Sequence, residues 1–205
     1  MPAHLSSDEA RGYWDERYRG VDSPHGSEPN ASVAQEFAGM APSRVLDLAC
    51  GQGRNAVWMA AQGHEVTGID VSPVAIEEAR SRTAALGVAV DLIVADVLDW
   101  EPEGEGYDLV LLSYLQLPQD DRIRAHRRAR SALKPGGVVF LVAHHADNLE
   151  HGYGGPQYSE VLYSGAELTE DFAGMDIVRN ERTERIVRVD GNDEIAVDIV
   201  FVARA

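Results

Sequence analysis

Short apolar runs alternate with helical stretches through the middle of the chain, and this alternation restricts the possible folds more than any other feature. Such an order predicts a parallel sheet with helices on both faces. The predicted strands are Arg44–Leu48, Glu65–Ile69, Val90–Val94, Tyr107–Leu112 and Val138–Ala143. The predicted helices between them are Asn55–Gln62, Pro73–Leu86 and Asp120–Leu133.

The flanking regions follow different patterns. Two long strands, Asp176–Val189 and Asp193–Arg204, are predicted around the tight-turn sequence Asp190-Gly191-Asn192. A terminal antiparallel hairpin is unusual beside a plain nucleotide-binding sheet. Three further helices are predicted outside the alternation, at Asp8–Arg19, Ala31–Gly39 and Ala166–Phe172. The turn-rich segment Gly20–Asn30 is predicted to be a loop.

Composition narrows the possible partners. The formal net charge is −16, whereas nucleic-acid binding normally needs a basic surface, so we expect no nucleic-acid substrate. Six basic residues on and directly after one predicted helix are interpreted as a solvated face balanced by Asp120 and Asp121; they are Arg122, Arg124, Arg127, Arg128, Arg130 and Lys134. The sequence contains no predicted membrane span or signal peptide, and its single cysteine suits a reducing compartment, so a cytoplasmic location is expected.

The segment Val45–Asn55 carries the strongest chemical signal. Gly51 and Gly53 follow the first strand, where ligands bind in open α/β sheets. Close backbone approach by a ligand is possible at glycine. Asp47 precedes them at the end of the strand, and its carboxylate would repel a pyrophosphate but suit a ligand that carries ammonium and sulfonium charges. An NAD-dependent oxidoreductase remains open as the alternative, because the glycine loop also resembles a dinucleotide motif.

Two more aspartates end neighbouring strands. Asp70 follows the second strand, near the spacing at which an acid binds ribose hydroxyls, and Asp96 follows the third, where it could meet an adenine edge. Each of the three aspartates could instead serve a turn or a helix cap. Their predicted meeting at one sheet edge favours a binding site.

These residues resemble the class I S-adenosylmethionine (SAM)-dependent methyltransferases. Asp47–Gly53 is similar to their first motif, and Lys134-Pro135-Gly136-Gly137 to the turn before their fifth strand. The resemblance implies an α/β, Rossmann-like three-layer sandwich with a mostly parallel seven-stranded sheet and a C-terminal antiparallel hairpin. It implies one domain over residues 1–205, with a helical cover segment at 1–40 and a catalytic core at 41–205.

The resemblance also implies SAM as cofactor and methyl transfer by direct displacement to a small-molecule or oxyanion acceptor. The expected cofactor-binding residues are Asp47, Ala49, Gly51, Gly53, Arg54, Asn55, Asp70, Val71, Ala95, Asp96, Val97 and Ser113. A narrower likeness to the small tellurite-resistance and thiopurine-type methyltransferases rests on Tyr13–Tyr18 and Glu28-Pro29-Asn30. It implies that Tyr18 closes over the methionine end of the cofactor.

His144 and His145 follow the fifth strand at the same edge. Either could accept a proton from the acceptor, so they join Tyr18 as candidate catalytic residues. A metal site is not expected, because adjacent histidines alone do not supply the ligands that zinc needs. A SAM-binding module without catalysis also remains open, as does the oligomeric state.

Overall fold

Seven strands form one sheet in the order β3-β2-β1-β4-β5-β7-β6. The computed structural model describes residues 6–19, 26–102 and 106–205. The strands are β1 (Arg44–Leu48), β2 (Glu65–Asp70), β3 (Asp91–Val94), β4 (Tyr107–Ser113), β5 (Leu133–His144), β6 (Asp176–Val189) and β7 (Asn192–Arg204). Strands β1 to β5 pair in parallel, whereas β7 pairs antiparallel to both β5 and β6. The predicted sheet and terminal hairpin are therefore confirmed.

The helices lie close to their predicted positions. They are α1 (Ser7–Tyr18), α2 (Ala31–Phe37), α3 (Arg54–Ala61), α4 (Pro73–Leu86), α5 (Gln119–Ala132), α6 (Asn148–His151) and α7 (Gly165–Asp171). Local signals explain α4, where the Ser72 hydroxyl accepts the Ala75 N–H and Gly87 ends the helix in a left-handed conformation. None of the helices in the described residues is long and apolar enough to cross a membrane.

Two buried apolar clusters cover the two faces of the sheet. On one face, Val33 and Phe37 of α2 pack with residues of α3 and α4, and the Phe37 and Phe140 rings lie 5.2 Å apart. On the other face, residues of α5 and α7 pack on the sheet, where the Phe172 and Phe201 rings lie 5.2 Å apart. Burial on both sides explains why the strands read as continuous apolar runs. The three-layer arrangement is as predicted.

Strand β5 begins earlier than predicted. The segment Lys134–Gly137 was expected to form a turn, but the strand starts at Leu133, which pairs with Tyr107 across a register irregularity. Gly136 adopts φ 79° within this stretch. Residues 133–137 thus precede the regular pairing with β4, which starts at Val138 as the apolar pattern indicates.

The interpretation of the basic helix as a solvated face is wrong for Arg122. Its side chain is 2% exposed and contacts Glu167 at 3.1 Å and Asp171 at 3.2 Å, both on α7. His126 lies against the same Asp171 carboxylate at 2.8 Å. Burial of an arginine requires such partners, and they come from a helix more than 40 positions away. Ion pairing therefore attaches α7 to α5.

The hairpin extends past the carboxyl edge of the parallel strands. Pairing of β5 with β7 ends at His144 and Asp198, while pairing of β6 with β7 continues to Val189 and Asn192. The part of the hairpin beyond Asp198 therefore projects over the sheet edge at which the predicted site lies.

Candidate active site

The carboxyl ends of β1 and β4 carry two residues in the left-handed backbone region. Ala49 has φ 60° and Tyr114 has φ 58°. Such angles are uncommon outside glycine and cost about 1–3 kcal/mol when they persist. The strands are neighbours, with Asp47 beside Leu111. Strained backbone of this kind clusters at functional sites, so the two residues indicate that this edge of the sheet is one.

The glycine loop turns tightly between β1 and α3. Gly51 and Gly53 have φ 55° and 79°. A Cβ atom on Gly53 would lie 2.9 Å from the Ala79 side chain, and one on Gly51 would lie 2.9 Å from the Tyr18 hydroxyl. Any larger residue at either position would therefore meet α4 or α1. The loop remains open to close backbone approach only because both residues are glycine.

Asp70 fixes the loop from the next strand. It is 5% exposed, and its carboxylate accepts the Gly51 N–H at 2.8 Å and the Ser72 N–H at 2.9 Å. Burial nevertheless raises the pKa of Asp70 to about 6, because the two backbone bonds offset only part of the lost hydration. The carboxylate keeps further acceptor capacity for donors such as ribose hydroxyls.

Asp47 is deeply buried. It is 1% exposed, and within the described residues no hydrogen bond of normal geometry reaches either of its carboxylate oxygens. Burial raises the pKa of Asp47 to about 7, and the nearby Arg54 charge and Ala56 N–H lower it by less. The N-cap of α3 is Gly53, which has no side chain, and the Asp47 carboxylate lies near the first turn of that helix at Ala56. An unpaired buried carboxylate is costly unless a cationic group or donor comes to it.

Helix α1 lies across this edge of the sheet. The Ser7 hydroxyl donates to the Asp96 carboxylate, and the Ser72 hydroxyl donates to Asp15. Tyr18 is 9% exposed beside Gly51. Burial, reinforced by Asp70, raises the pKa of the Tyr18 phenol, so this hydroxyl stays neutral at physiological pH. Three contacts thus hold α1 over the predicted cofactor residues.

A second polar cluster lies beside the first, at the ends of β4, β5 and β7. Asp198 is 2% exposed and accepts the Tyr114 hydroxyl and the Arg185 Nε, each at 2.8 Å. His144 Nδ1 lies 3.1 Å from the other Asp198 oxygen. The Tyr114 and His144 rings are 5.0 Å apart. Arg54 links the clusters, with its guanidinium 5.9 Å from the Tyr114 ring.

The acid of this second cluster behaves differently from Asp47. Burial acts to raise the pKa of Asp198, but the nearby His144 ring and the bonds from Arg185 and Tyr114 together hold this pKa below its usual value. Asp198 is therefore ionised at neutral pH. The Tyr114 phenol is the opposite case, because burial and the adjacent Asp198 charge raise its pKa.

The two adjacent histidines have different surroundings. His145 Nδ1 accepts the Asp147 N–H at 3.1 Å, which closes a turn before α6. His144 instead contacts Asp198 and lies under Gly155, where a Cβ atom would be 2.8 Å from His144 Nε2. Catalytic roles for His144, His145 and Tyr18 stay predictions. Within residues 6–19, 26–102 and 106–205, no group of three or more histidine, cysteine, aspartate or glutamate side chains could hold a metal ion.

Most of the remaining predicted cofactor residues lie at the first cluster. Asn55 is 3% exposed and accepts the Asn30 N–H, which attaches α2 to the glycine loop. Val71 follows Asp70, the Ala95 N–H donates to the Asp70 carbonyl, and Val97 is buried after Asp96. The Ser113 hydroxyl is buried and has no hydrogen-bond partner among the described residues. Part of the predicted loop, residues 20–25, lies outside the described residues.

Sequence reasoning missed the second cluster apart from the histidines. Asp198, Arg185 and Tyr114 were not singled out, nor was Asn148, which is 1% exposed and donates to the Gly154 carbonyl while accepting the Val197 N–H. One signal was available. Asp198 interrupts the apolar run Ile195–Val202, and a charged residue in a buried strand needs a partner.

Comparisons with known proteins agree with this geometry. A protein-family model described as "Methyltransferase domain" matches residues 45–137. The ubiquinone biosynthesis O-methyltransferase of Xanthomonas euvesicatoria is 38% identical over 111 residues, which are 54% of this chain and 45% of that enzyme. The chain therefore spans under half the length of this curated relative.

Solved structures match nearly the whole chain. One, from work on conversion of a disulfide bond into a thioacetal group during echinomycin biosynthesis, has a TM-score of 0.76 and 23% identity, covering 98% of this chain and 91% of that one. The N-methyltransferase NodS from Bradyrhizobium japonicum, in complex with S-adenosyl-L-homocysteine (SAH), has a TM-score of 0.72 and 19% identity, covering 95% and 97%. The predicted resemblance to the class I SAM-dependent methyltransferases is confirmed, and the chain has their fold.

Proposed function

We propose that this protein binds SAM at the carboxyl edge of β1, β2 and β3 and transfers its methyl group to a small-molecule acceptor by direct displacement. The observation that carries the proposal is the Asp47 carboxylate, which is buried beside the glycine loop and accepts no hydrogen bond of normal geometry from any described residue. The match of residues 45–137 to a methyltransferase domain supports the same edge.

The residues at this edge fit the cofactor chemically. Asp47 would receive positive charge from the methionine end, and Asp70 would receive ribose hydroxyls while it holds Gly51 and Ser72. The unpaired Ser113 hydroxyl offers a further bond at the end of β4. When bound, SAM supplies an electrophilic methyl carbon on a sulfonium. The chain then has only to orient the acceptor in line and exclude water.

The cover segment is part of this proposal. Helix α1 contacts Asp96, Ser72 and Gly51, which are residues of the predicted cofactor site or its immediate neighbours. We therefore assign residues 1–40 to a cover over the cofactor and residues 41–205 to the catalytic core. A small acceptor fits the acidic composition better than a nucleic acid does.

Calorimetric titration of the purified chain with SAM, SAH and NAD tests the assignment. We expect saturable binding of SAM and SAH that Asp70→Ala weakens. Binding of NAD instead would move the activity to hydride transfer. Binding of SAM without methyl transfer to any acceptor would leave a binding module, which an acceptor screen with radiolabelled methyl groups distinguishes from an enzyme.

A further inference from the structure

We propose that a cavity at the amino edge of the sheet is a second ligand site, which binds a small aromatic amine that also carries an oxygen. The cavity has a volume of about 680 Å³, within the range of about 300–1,000 Å³ that small-molecule sites occupy. The site lies apart from the one proposed for the cofactor. Its ligand goes beyond the methyl-transfer function proposed above and does not depend on it.

The cavity lies at the end of the sheet opposite to the cofactor cluster. The first residue of each of four adjacent strands lines it: Arg44 of β1, Glu65 of β2, Asp91 of β3 and Tyr107 of β4. The proposed cofactor residues instead lie at the carboxyl ends of these strands. Strands β1 and β2 have five and six residues, and a strand rises about 3.3 Å per residue, so roughly 15 Å of sheet separates the two sites.

The connection between β3 and β4 explains why this space is open. Helices α3, α4 and α5 each join two parallel strands, whereas the described part of the connection between β3 and β4, residues 95–102 and 106, forms no helix. Trp100 of this connection packs against the apolar cluster of that face and also lines the cavity. One indole covers less of the sheet than a helix does, which leaves the cavity beside it.

The charges in the lining favour a cationic ligand. Arg44 is already bound within the protein, because its Nε contacts the Glu65 carboxylate at 3.1 Å and its guanidinium lies 5.0 Å from the Tyr107 ring. Asp91 is exposed, and no hydrogen bond or ion pair reaches its carboxylate from the residues that the structure describes. The lining thus has two carboxylates and one guanidinium, so an ammonium group is attracted to Asp91. The formal net charge of −16 adds to this attraction.

The uncharged part of the lining suits a flat apolar body. The Tyr107 hydroxyl donates to the Thr67 hydroxyl at 3.2 Å, so these two polar groups satisfy each other. The half-buried Trp100 indole offers a surface on which an aromatic ring stacks and beside which an ammonium group is attracted to the ring face. The aliphatic side chains of the lining are Ala89, Val66, Val90 and Ile93.

His64 adds an unsatisfied donor to the lining. The residue is 5% exposed, and its Nδ1 accepts the Ser43 N–H at 3.1 Å, so the neutral ring carries its hydrogen on Nε2. Within the described residues Nε2 has no hydrogen-bond partner. A buried donor without a partner is costly, and an oxygen on a ligand in the cavity that His64 lines supplies the missing acceptor.

The probe is tyramine, an aromatic amine with one phenolic oxygen, titrated into the ¹⁵N-labelled whole chain. The three tryptophans give three indole N–H signals, which single Trp→Phe variants assign. Trp14 stacks on Tyr18 at 5.7 Å beside the cofactor cluster, so Trp14 and Trp100 report on opposite edges of the sheet. We expect a saturable shift of the Trp100 signal, with a Kd of roughly 1 mM or below, and none of the Trp14 signal. No saturable shift at Trp100, or a shift confined to Trp14, would overturn the inference.

Two analogues of tyramine test the class of ligand. In 4-hydroxyphenylpropionate a carboxylate replaces the ammonium group, and phenethylamine lacks the oxygen. We expect no saturation with the acid, because Asp91 repels it. Phenethylamine should bind about threefold to tenfold more weakly than tyramine, because it leaves the His64 N–H without an acceptor. Affinity equal to that of tyramine for either analogue would also overturn the inference.

Asp91→Asn tests the site directly. Asp176→Asn is its matched control, because it makes the same change of charge at the start of β6, at the other end of the strand order. We expect Asp91→Asn to weaken tyramine binding at least about threefold and Asp176→Asn to leave it unchanged. Equal affinities of the two variants would contradict the site. Titration with SAH gives a separate result, since a failure of SAH to bind would overturn the proposed function and not the amine site.

Discussion

The two polar clusters at the carboxyl edge treat their buried acids in opposite ways. On the cofactor side, Asp47 has no hydrogen-bond partner in the part of the chain that the structure describes, and burial raises its pKa to about 7. In the second polar cluster, Asp198 is as deeply buried as Asp47, yet Arg185, Tyr114 and His144 keep the pKa of Asp198 below its usual value. The first cluster therefore offsets only part of the cost of burying its acid, whereas the second cluster compensates its acid within the protein.

The largest effect is expected at Asp70. Asp70→Ala removes the acceptor of the Gly51 and Ser72 N–H groups and of the proposed ribose hydroxyls. Bonds to charged acceptors contribute about 1.5–3 kcal/mol each, so affinity for SAM should fall at least about a hundredfold. Calorimetric titration measures it, with the exposed acid Asp176→Asn as control. Unchanged SAM affinity in Asp70→Ala would remove Asp70 from the cofactor site and end the distinction between the two clusters.

A pH-dependent effect follows at Asp47. Its folded pKa is raised above the unfolded value, so the folded state binds more protons and the ligand-free protein loses stability as pH rises from about 4 to about 7. Asp47→Asn removes this penalty and should stabilise the ligand-free protein by about 1–3 kcal/mol at pH 8, with little change at pH 4. The same variant should bind SAM more weakly. Denaturant unfolding at the two pH values checks the first point, and a loss of stability at pH 8 would contradict it.

Gly154 and Gly155, in the loop beside His144, form a matched pair of test positions. Gly154 and Gly155 have φ 72° and 73°, but a Cβ atom meets nothing within 4 Å at Gly154 and meets the His144 ring at 2.8 Å at Gly155. Both alanine variants should lose about 1–2 kcal/mol of stability to backbone strain. Only Gly155→Ala should also shift the His144 resonances and reduce methyl transfer, while SAM affinity stays unchanged. Equal spectra for the two variants would contradict the contact between Gly155 and the His144 ring.

The smallest effect is expected at the contact between α1 and the cofactor side. Ser7→Ala removes the bond to Asp96 and should cost about 0.5–1.5 kcal/mol. Amide hydrogen exchange in α1 should speed up, while exchange in β7 is unaffected. Ser81→Ala, which removes a hydroxyl bonded within its own helix, is the control. Exchange in α1 that is insensitive to Ser7 would mean that Tyr18 and Asp15 alone hold the helix in place.

The difference between the clusters also explains what sequence could predict. Asp47 and Asp70 lie on the adjacent strands β1 and β2, and Gly51 follows β1. Parallel topology brings the ends of these strands together, so spacing alone indicates the cofactor side. Ser72 and Gly87 bound α4 for reasons that act within one turn of helix. Asp198 meets Tyr114 from 84 positions away, on a strand that inserts between β5 and β6. Only strand order places it there, and composition does not reveal strand order.

The burial of Arg122 was missed for the same reason. Its helix carries many charges, and nothing within that helix distinguishes the one that faces inward. The acids that accept it, Glu167 and Asp171, belong to α7, which packs on α5 only in the folded sheet. Side chains whose partners are distant in sequence are therefore the ones that reading along the chain assigns wrongly.

The late position of β7 in the chain has a consequence for synthesis. The ribosome makes the Asp47 loop and Asp70 long before it makes Asp198, so a growing chain can assemble its cofactor edge while Tyr114 and His144 still lack their shared carboxylate. Pairings between distant segments close slowly, because loop entropy opposes them until the contacts form. The residues of the cofactor edge are thus all synthesised before the carboxylate that contacts Tyr114 and His144.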